Sequence, residues 1–180
     1  MKIGPEEVEV QSPAREVVSP LGEMDILLAV PGLPFSGKTF DKQSLGGSET
    51  SGYYMAKALA ARGHRVTVFC SIVAREHCED VDYLPINMFQ QYAAFSQHDV
   101  CIVQRLPDLF PANCRARFSA LWCHDLAMGR SADKIQGTAW NYDRVFVLSE
   151  FMREQYKAVY NLPDEVLFQT RNGVDLATVK

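Results

Sequence analysis

The sequence predicts an α/β fold, a doubly wound and mainly parallel sheet of about seven strands with helices on both faces. Three observations lead to this prediction. Short apolar runs recur along the chain, as expected of strands that are buried on both faces of a sheet. Segments with helical character separate several of these runs. Finally, 47% of the 180 residues are hydrophobic, which is enough for the core of one domain of ordinary size.

The chain divides into a short extension and one domain. Residues 1–23 are polar and acidic with scattered prolines, so we expect little structure there and a domain over residues 24–180. The expected strands are the apolar runs, which lie at residues 24–30, 65–70, 83–86, 99–105, 117–123, 144–149 and 165–171. The expected helices lie at residues 48–61, 87–96 and 150–160.

Local signals place the boundaries of these elements. The first strand stops at a Pro-Gly pair, and a long polar loop follows it. Gly46 and Gly47 then precede a helix that opens on Ser48 and Glu49, residues that are favourable at a helix N-terminus. Apolar side chains repeat at helical spacing along this helix, and Gly63 ends it before the second strand. The final helix follows a serine that is a good cap, and the last strand ends at an Asn-Gly turn.

The glycine pair is the most informative local feature. A glycine pair at a helix start lets the backbone come close to a ligand, with free N–H groups and the positive end of the helix dipole facing outward. This geometry suits a phosphate group. The alternative is a simple glycine turn before a helix that packs on the core. Parallel sheets bind ligands at the carboxyl ends of their strands, so the candidate ligand-facing residues are Gly46, Gly47, Arg105, His124, Asp125 and Ser149.

Composition excludes several classes of function. The net charge of −4 gives no basic surface for nucleic acid. Five cysteines occur without a CxxC pair, so they predict neither a disulfide framework nor a zinc site but small buried residues of a reducing compartment. We expect no metal and no cofactor. Neither a transmembrane run nor a signal peptide is evident, which predicts a soluble cytoplasmic protein.

Residues 32–39 match the phosphate-binding pattern GxxxxGK[ST] letter by letter. That pattern requires a helix directly after its lysine, so that the helix dipole and the threonine hydroxyl meet phosphate and magnesium. Here the expected helix starts about ten residues after Lys38. A nucleoside triphosphatase is therefore a minor alternative, and we expect the match to be a coincidence. The dinucleotide fingerprint GxGxxG is absent after the first strand.

Six landmarks, taken together in order, resemble the N-terminal domain of the retaining family-4 (group 1) glycosyltransferases. They are the segments at residues 44–50, 62–68, 99–105, 121–126, 145–152 and 172–175. The resemblance implies one Rossmann-like half of a GT-B fold, in which the reaction takes place in a cleft between two facing domains. The N-terminal half mostly receives the acceptor, whereas the C-terminal half holds the nucleotide of the donor and would be absent here.

The resemblance also implies an activity. A sugar, of the hexosyl type, would pass with retention from a nucleotide-sugar donor to a sugar, lipid-linked or polysaccharide acceptor. The oxygen of the leaving diphosphate would help to deprotonate the acceptor, and the protein would act mainly by positioning and electrostatics. Full activity would require the C-terminal domain, in cis or in trans. The alternative is a free-standing domain that binds nucleotides or sugars without catalysis.

The same resemblance assigns roles to individual residues. Gly46 and Gly47 would present backbone N–H groups to the donor diphosphate, and His124 would be the catalytic histidine beside the donor sugar. A core position without a catalytic role is the alternative for His124. Ser48, Glu49, Arg105, Asp125 and Ser149 are possible contacts of acceptor or donor; for Glu49 a capping role is equally open, and for Ser149 it is the default. Asn172 and Gly173 would form an interdomain turn. The remaining histidines are expected to be structural (His64) or on the surface (His77 and His98).

Overall fold

The computed structural model describes residues 22–127 and 132–173, so nearly all of the expected extension lies outside the described residues. The strands in this part of the chain are β1 (Asp25–Val30), β2 (Arg65–Cys70), β3 (Glu76–Cys78), β4 (Val81–Pro85), β5 (His98–Gln104), β6 (Ala116–Trp122), β7 (Arg144–Val147) and β8 (Leu167–Gln169). These eight strands form one sheet in the order β3-β4-β2-β1-β5-β6-β7-β8. The helices are α1 (Gly47–Ala60), α2 (Phe89–Phe95), α3 (Ala132–Thr138) and α4 (Glu150–Tyr160).

The predicted fold class is confirmed, and all seven expected strands are present. They pair in parallel throughout. The prediction omitted β3, which pairs antiparallel with β4 at one edge of the sheet. It also omitted α3. Both elements are short and largely polar, since β3 is Glu-His-Cys and Ile135 is the one large apolar residue of α3, so neither shows a period in the hydrophobic pattern.

Helices cover both faces of the sheet, as predicted. Alternate residues of β1 point to opposite faces, so that Leu28 packs on the α1 side and Leu27 packs on the side of α2, α3 and α4. Each face has its own buried cluster, and together the two clusters form the core of the domain. This two-sided burial keeps the strands rigid and leaves their carboxyl ends open for a ligand site.

The histidines correct one prediction. His98, expected on the surface, is 3% exposed and lies with its Nδ1 2.8 Å from Oδ2 of Asp25. Its ring also stacks on that of Tyr92 in α2. The prediction failed because the polar residues before His98 conceal that the strand begins under a helix. His64 is buried and accepts the backbone N–H of Met24, so it is structural as expected, and His77 is exposed.

The cysteines are free thiols, of which Cys70, Cys101 and Cys123 are buried. Within residues 22–127 and 132–173, no group of three or more metal-binding side chains is close enough to hold an ion. No helix in the described part of the chain is long and apolar enough to cross a membrane.

Candidate functional site

Four segments meet at the carboxyl edge of the sheet and form one polar network. The hydroxyl of Ser48, in the first turn of α1, donates to Oε2 of Glu49 at 2.9 Å. Arg105 follows β5, and its Nη1 lies 3.4 Å from Oγ of Ser48. The Nε of the same arginine donates to Oδ2 of Asp125, after β6, at 2.9 Å. The fold therefore brings together four residues that the sequence singled out separately.

Glu49 anchors this network on the side of β1. It is only 4% exposed, and its Oε1 accepts the backbone N–H of Leu33 at 3.0 Å. Burial raises the pKa of Glu49, but hydrogen bonds from Leu33, from its own backbone N–H and from Ser48 outweigh burial and leave the pKa below its ordinary value. The carboxylate is therefore ionised at neutral pH. These contacts are all with the protein, and they do not decide between the two roles left open by the sequence, capping of α1 and contact with a ligand.

The glycines around this carboxylate have different reasons to be glycine. A Cβ on Gly46 would lie 2.5 Å from Oε2 of Glu49, and a Cβ on Gly32 would overlap Oε1 of the same side chain. Both glycines are therefore needed to accommodate Glu49. A Cβ on Gly47 would meet no heavy atom within 4 Å. Of the glycine pair, Gly47 is thus the exposed residue with open space where a side chain would lie.

Arg105 has a strained backbone. Its φ is +61°, and the N–H of Leu106 donates to the carbonyl of Gln104 at 2.6 Å, which closes a γ-turn around it. Such a turn is rare for a residue with a side chain, and a conformation of this kind costs about 1–3 kcal/mol. The side chains of Arg105 and Asp125 are 38% and 66% exposed. An ion pair this exposed contributes only about 0–1 kcal/mol, so it does not offset the strain.

His124 forms part of the wall of a cavity of about 250 Å³ beside this network. Its ring centroid lies 4.7 Å from that of Trp122, and its Nε2 is buried with no hydrogen-bond partner among the described residues. Burial lowers the pKa of His124 to about 4, with Arg105 lowering it further and Asp125 opposing. The imidazole is therefore neutral at pH 7. The cavity is lined by Arg105, Cys123, His124, Asp125, Leu126, Ile135 and Tyr156.

Sequence reasoning missed one residue that organises this cavity. The hydroxyl of Tyr156 in α4 donates to the backbone carbonyl of Asp125 at 2.9 Å, and this bond holds the loop after β6. Tyr156 is fully buried between Met152 and Tyr160, which lie one helical turn away on either side. This spacing was visible in the sequence as a buried helix face, but nothing in the sequence indicated the carbonyl that the hydroxyl binds.

Three other predicted residues lie outside the His124 cavity. Ser149 accepts the backbone N–H of Met152 at 3.1 Å and is the N-cap of α4, its expected default role. Asn172 and Gly173 line a second cavity of about 570 Å³ against the outer face of α1. Trp122 also lines this second cavity, so its indole ring lies between the two.

The residues that match GxxxxGK[ST] do not form a phosphate-binding loop in this structure. A single 3-10 turn (Phe40–Lys42) follows Lys38, and α1 starts only at Gly47. The backbone N–H of Ser36 donates to the hydroxyl of Thr39 at 2.9 Å, and the hydroxyl of Ser36 donates to Glu76 at 2.6 Å. These groups are therefore occupied by the protein itself, as expected for a coincidental match.

A solved structure shares the fold of this chain. A crystal structure of a glycosyltransferase from Rickettsia africae ESF-5 superimposes with a TM-score of 0.57 and 14% sequence identity. The match covers 88% of this chain and 47% of that structure, so the chain spans about half its length, and at this identity the likeness concerns the fold alone. No curated protein matches the sequence significantly.

A family match covers the site directly. The sequence model of Glycosyltransferase Family 4 matches residues 45–178, a span that begins just before the glycine pair and includes Glu49, Arg105 and His124. The match extends over well more than half of the chain, and the fold is the one that a glycosyltransferase structure shares. The chain therefore belongs to glycosyltransferase family 4.

Proposed function

We propose that this chain is the acceptor-side half of a glycosyltransferase that transfers a sugar, with retention, from a nucleotide-sugar donor to a hydroxyl acceptor. One observation carries the proposal. The open backbone of Gly47 at the start of α1 and the neutral imidazole of His124 belong to one site, because Arg105 contacts Ser48 and also lines the His124 cavity.

The start of α1 suits the diphosphate of the donor. The first N–H groups of a helix have no partners within the helix, and the helix dipole adds partial positive charge there. Gly47 is exposed and has open space at its Cβ position, which leaves room for a phosphate group to approach the start of α1. Gly46 supports the site in another way, since its missing side chain leaves room for the carboxylate of Glu49.

His124 suits a sugar hydroxyl. A neutral imidazole both donates and accepts a hydrogen bond, and the Nε2 of His124 has no partner in the described part of the chain. A cavity of about 250 Å³ has room for about eight waters, enough for one sugar ring. In this scheme, the leaving diphosphate oxygen takes the proton of the acceptor hydroxyl as the glycosidic bond forms on the same face of the sugar. The protein supplies orientation and electrostatic stabilisation.

A second domain would form the opposite wall of the cleft. Large apolar side chains are exposed directly after four neighbouring strands of this edge, at Leu33, Leu106, Leu126 and Phe151. Exposed apolar groups around a polar site are typical of a surface that faces a partner. We assign the enzyme to the cytoplasm, since free thiols suit a reducing compartment.

A titration of the chain with α-D-glucose 1-phosphate, followed by NMR, tests this proposal. The probe carries both a sugar and a phosphate without fixing the nucleotide base. We expect shifts at the backbone N–H of Gly47 and at the His124 ring, with millimolar affinity. The variants Gly47→Val and His124→Ala should lose the shifts. Shifts confined to residues remote from both would contradict the proposal.

A further inference from the structure

Arg105 adopts a positive φ at a position where this conformation is unusual. Of the described residues other than glycine, four have positive φ, and three of them lie where this conformation is common. Glu79 and Asp80 form the tight turn between β3 and β4, and Asn161 ends α4. Arg105 is the fourth, and it occupies the centre of a γ-turn at the end of a buried strand, beside the candidate site.

Stability does not explain why an arginine adopts this conformation. The contacts of its side chain are with Asp125 and with Ser48, and the Asp125 partner is largely exposed. Glycine would adopt the same backbone without strain. A strained residue that the fold does not need is more often retained for its effect on a functional site.

The γ-turn places the guanidinium of Arg105 between the first turn of α1 and the loop after β6. Nη1 lies 3.4 Å from Ser48 in the first turn of α1, and Nε donates to Asp125 at 2.9 Å in the loop that carries His124. The hydroxyl of Tyr156 holds the same loop through the carbonyl of Asp125. The loop after β6 is therefore fixed from α4 on one side and from Arg105 on the other.

We propose that Arg105 is a positioning residue that holds the His124 loop against the start of α1, so that the imidazole and the open backbone at Gly47 keep one relative placement. The inference rests on the proposed function only for the identity of the ligand. Arg105 acts through Asp125 and Ser48, and the strain in its backbone is the consequence of directing its side chain to both.

The variant Arg105→Gly separates this role from a merely structural one. We expect its melting temperature to rise by about 2–4 °C, because the strain is relieved and only exposed contacts are lost. We expect its affinity for α-D-glucose 1-phosphate to fall by about tenfold or more. The matched control is Asp80→Gly, which relieves positive φ in the exposed β3–β4 turn and should raise the melting temperature without changing affinity. A lower melting temperature together with unchanged affinity for Arg105→Gly would overturn the proposal.

A double variant tests whether Arg105 acts through Asp125. Asp125→Asn should weaken binding while leaving the strain in place, and Arg105→Gly combined with it should bind no more weakly than Arg105→Gly alone. Additive losses would mean that Arg105 and Asp125 affect binding independently, which would overturn the positioning role of Arg105 through Asp125.

A readout without ligand keeps the inference separate from the proposed function. In the wild type, the rings of Trp122 and His124, 4.7 Å apart, should give a strong nuclear Overhauser effect. This effect should weaken in Arg105→Gly and persist in Asp80→Gly. If the wild type does not bind α-D-glucose 1-phosphate, the proposed function fails, but the nuclear Overhauser effect between Trp122 and His124 still tests the positioning role. An effect of unchanged strength in Arg105→Gly would refute that role.

Discussion

The carboxylate of Glu49 accepts the backbone N–H of Leu33 at 3.0 Å and so ties the loop after β1 to the first turn of α1. The same carboxylate lies where side chains of Gly32 and Gly46 would have to be. The buried carboxylate of Glu49 therefore packs against the loop after β1 at Gly32 and against the residue before α1, Gly46, and both positions must be glycine to leave room for it.

Replacing Glu49 should destabilise the domain. Glu49→Ala leaves the N–H of Leu33 without its acceptor, and we expect a loss of about 1–3 kcal/mol in the free energy of unfolding. Glu49→Gln keeps one amide oxygen as an acceptor and should lose less. Denaturant unfolding of the two variants and the wild type measures the difference. Equal stability of Glu49→Ala and wild type would contradict the anchoring role.

Valine should have different effects at the two adjacent glycines, on phosphate binding at Gly47 and on stability at Gly46. Gly47→Val places its side chain in open space, so we expect a change within about 0.5 kcal/mol in stability but loss of phosphate binding. Gly46→Val forces Cβ to within 2.5 Å of Glu49 and should destabilise by about 1–3 kcal/mol. Melting curves and titrations of both variants with α-D-glucose 1-phosphate check the pair. If Gly47→Val binds as well as the wild type, the glycine pair is only a turn.

The sequence predicted the parallel sheet and the edge that carries the site. Apolar runs that alternate with helical segments are visible locally, and parallel sheets bind ligands at the carboxyl ends of their strands. It did not predict the specific partners. The burial of His98 depends on α2 lying above it, and the role of Glu49 depends on a loop sixteen residues earlier. Likewise, no local signal indicates that Arg105 takes a positive φ, and its side-chain partners Ser48 and Asp125 are distant in sequence.

His124 should make the domain sensitive to acid. Its pKa is lowered from 6.5 to about 4 in the folded state by burial, so the unfolded chain binds the proton first as the pH falls. Stability associated with this residue is therefore complete above about pH 6.5 and is lost progressively toward pH 4. We expect His124→Gln to lose less melting temperature than the wild type between pH 7 and pH 5. An identical loss in both proteins would show that other groups dominate.

The imidazole should matter for turnover more than for folding. In an enzyme assembled from this domain and a donor-binding domain, His124→Ala should remove the hydrogen bond that we propose to a charged transition state. Such a bond is worth about 1.5–3 kcal/mol, or roughly a ten- to hundredfold loss in rate. Steady-state rates at pH 7 measure this loss, with the melting temperature as a control. Unfolding of the variant without a separate rate defect would favour a core histidine.

The triphosphatase alternative predicts a lysine-dependent response to ATP, and we expect none. Lys38 is exposed, and the Ser36 N–H and hydroxyl near it are engaged by Thr39 of the same loop and by Glu76 of β3. ATP with magnesium should leave the melting temperature of both the wild type and Lys38→Ala unchanged. Stabilisation of the wild type that is absent in Lys38→Ala would revive this alternative, since a ligand that binds only the folded state must raise its stability.

Finally, the isolated chain should not transfer sugar. Its candidate site has an exposed helix start at Gly47 and a cavity lined by His124, and in the proposed scheme the donor must be held from both sides for its anomeric carbon to face the acceptor. A half-site buries little of a ligand, so we expect affinities for nucleotide sugars no better than about 1 mM, near −4 kcal/mol. A donor-binding domain from a family-4 enzyme, added in trans or fused after Lys180, should restore binding and transfer of labelled sugar. The same fusion carrying Gly47→Val should stay folded and inactive, which excludes activity of the added domain alone. Transfer by the isolated chain at roughly 1 s⁻¹ or faster, within the ordinary range of enzymes, would refute the proposal that it is half of the catalytic unit.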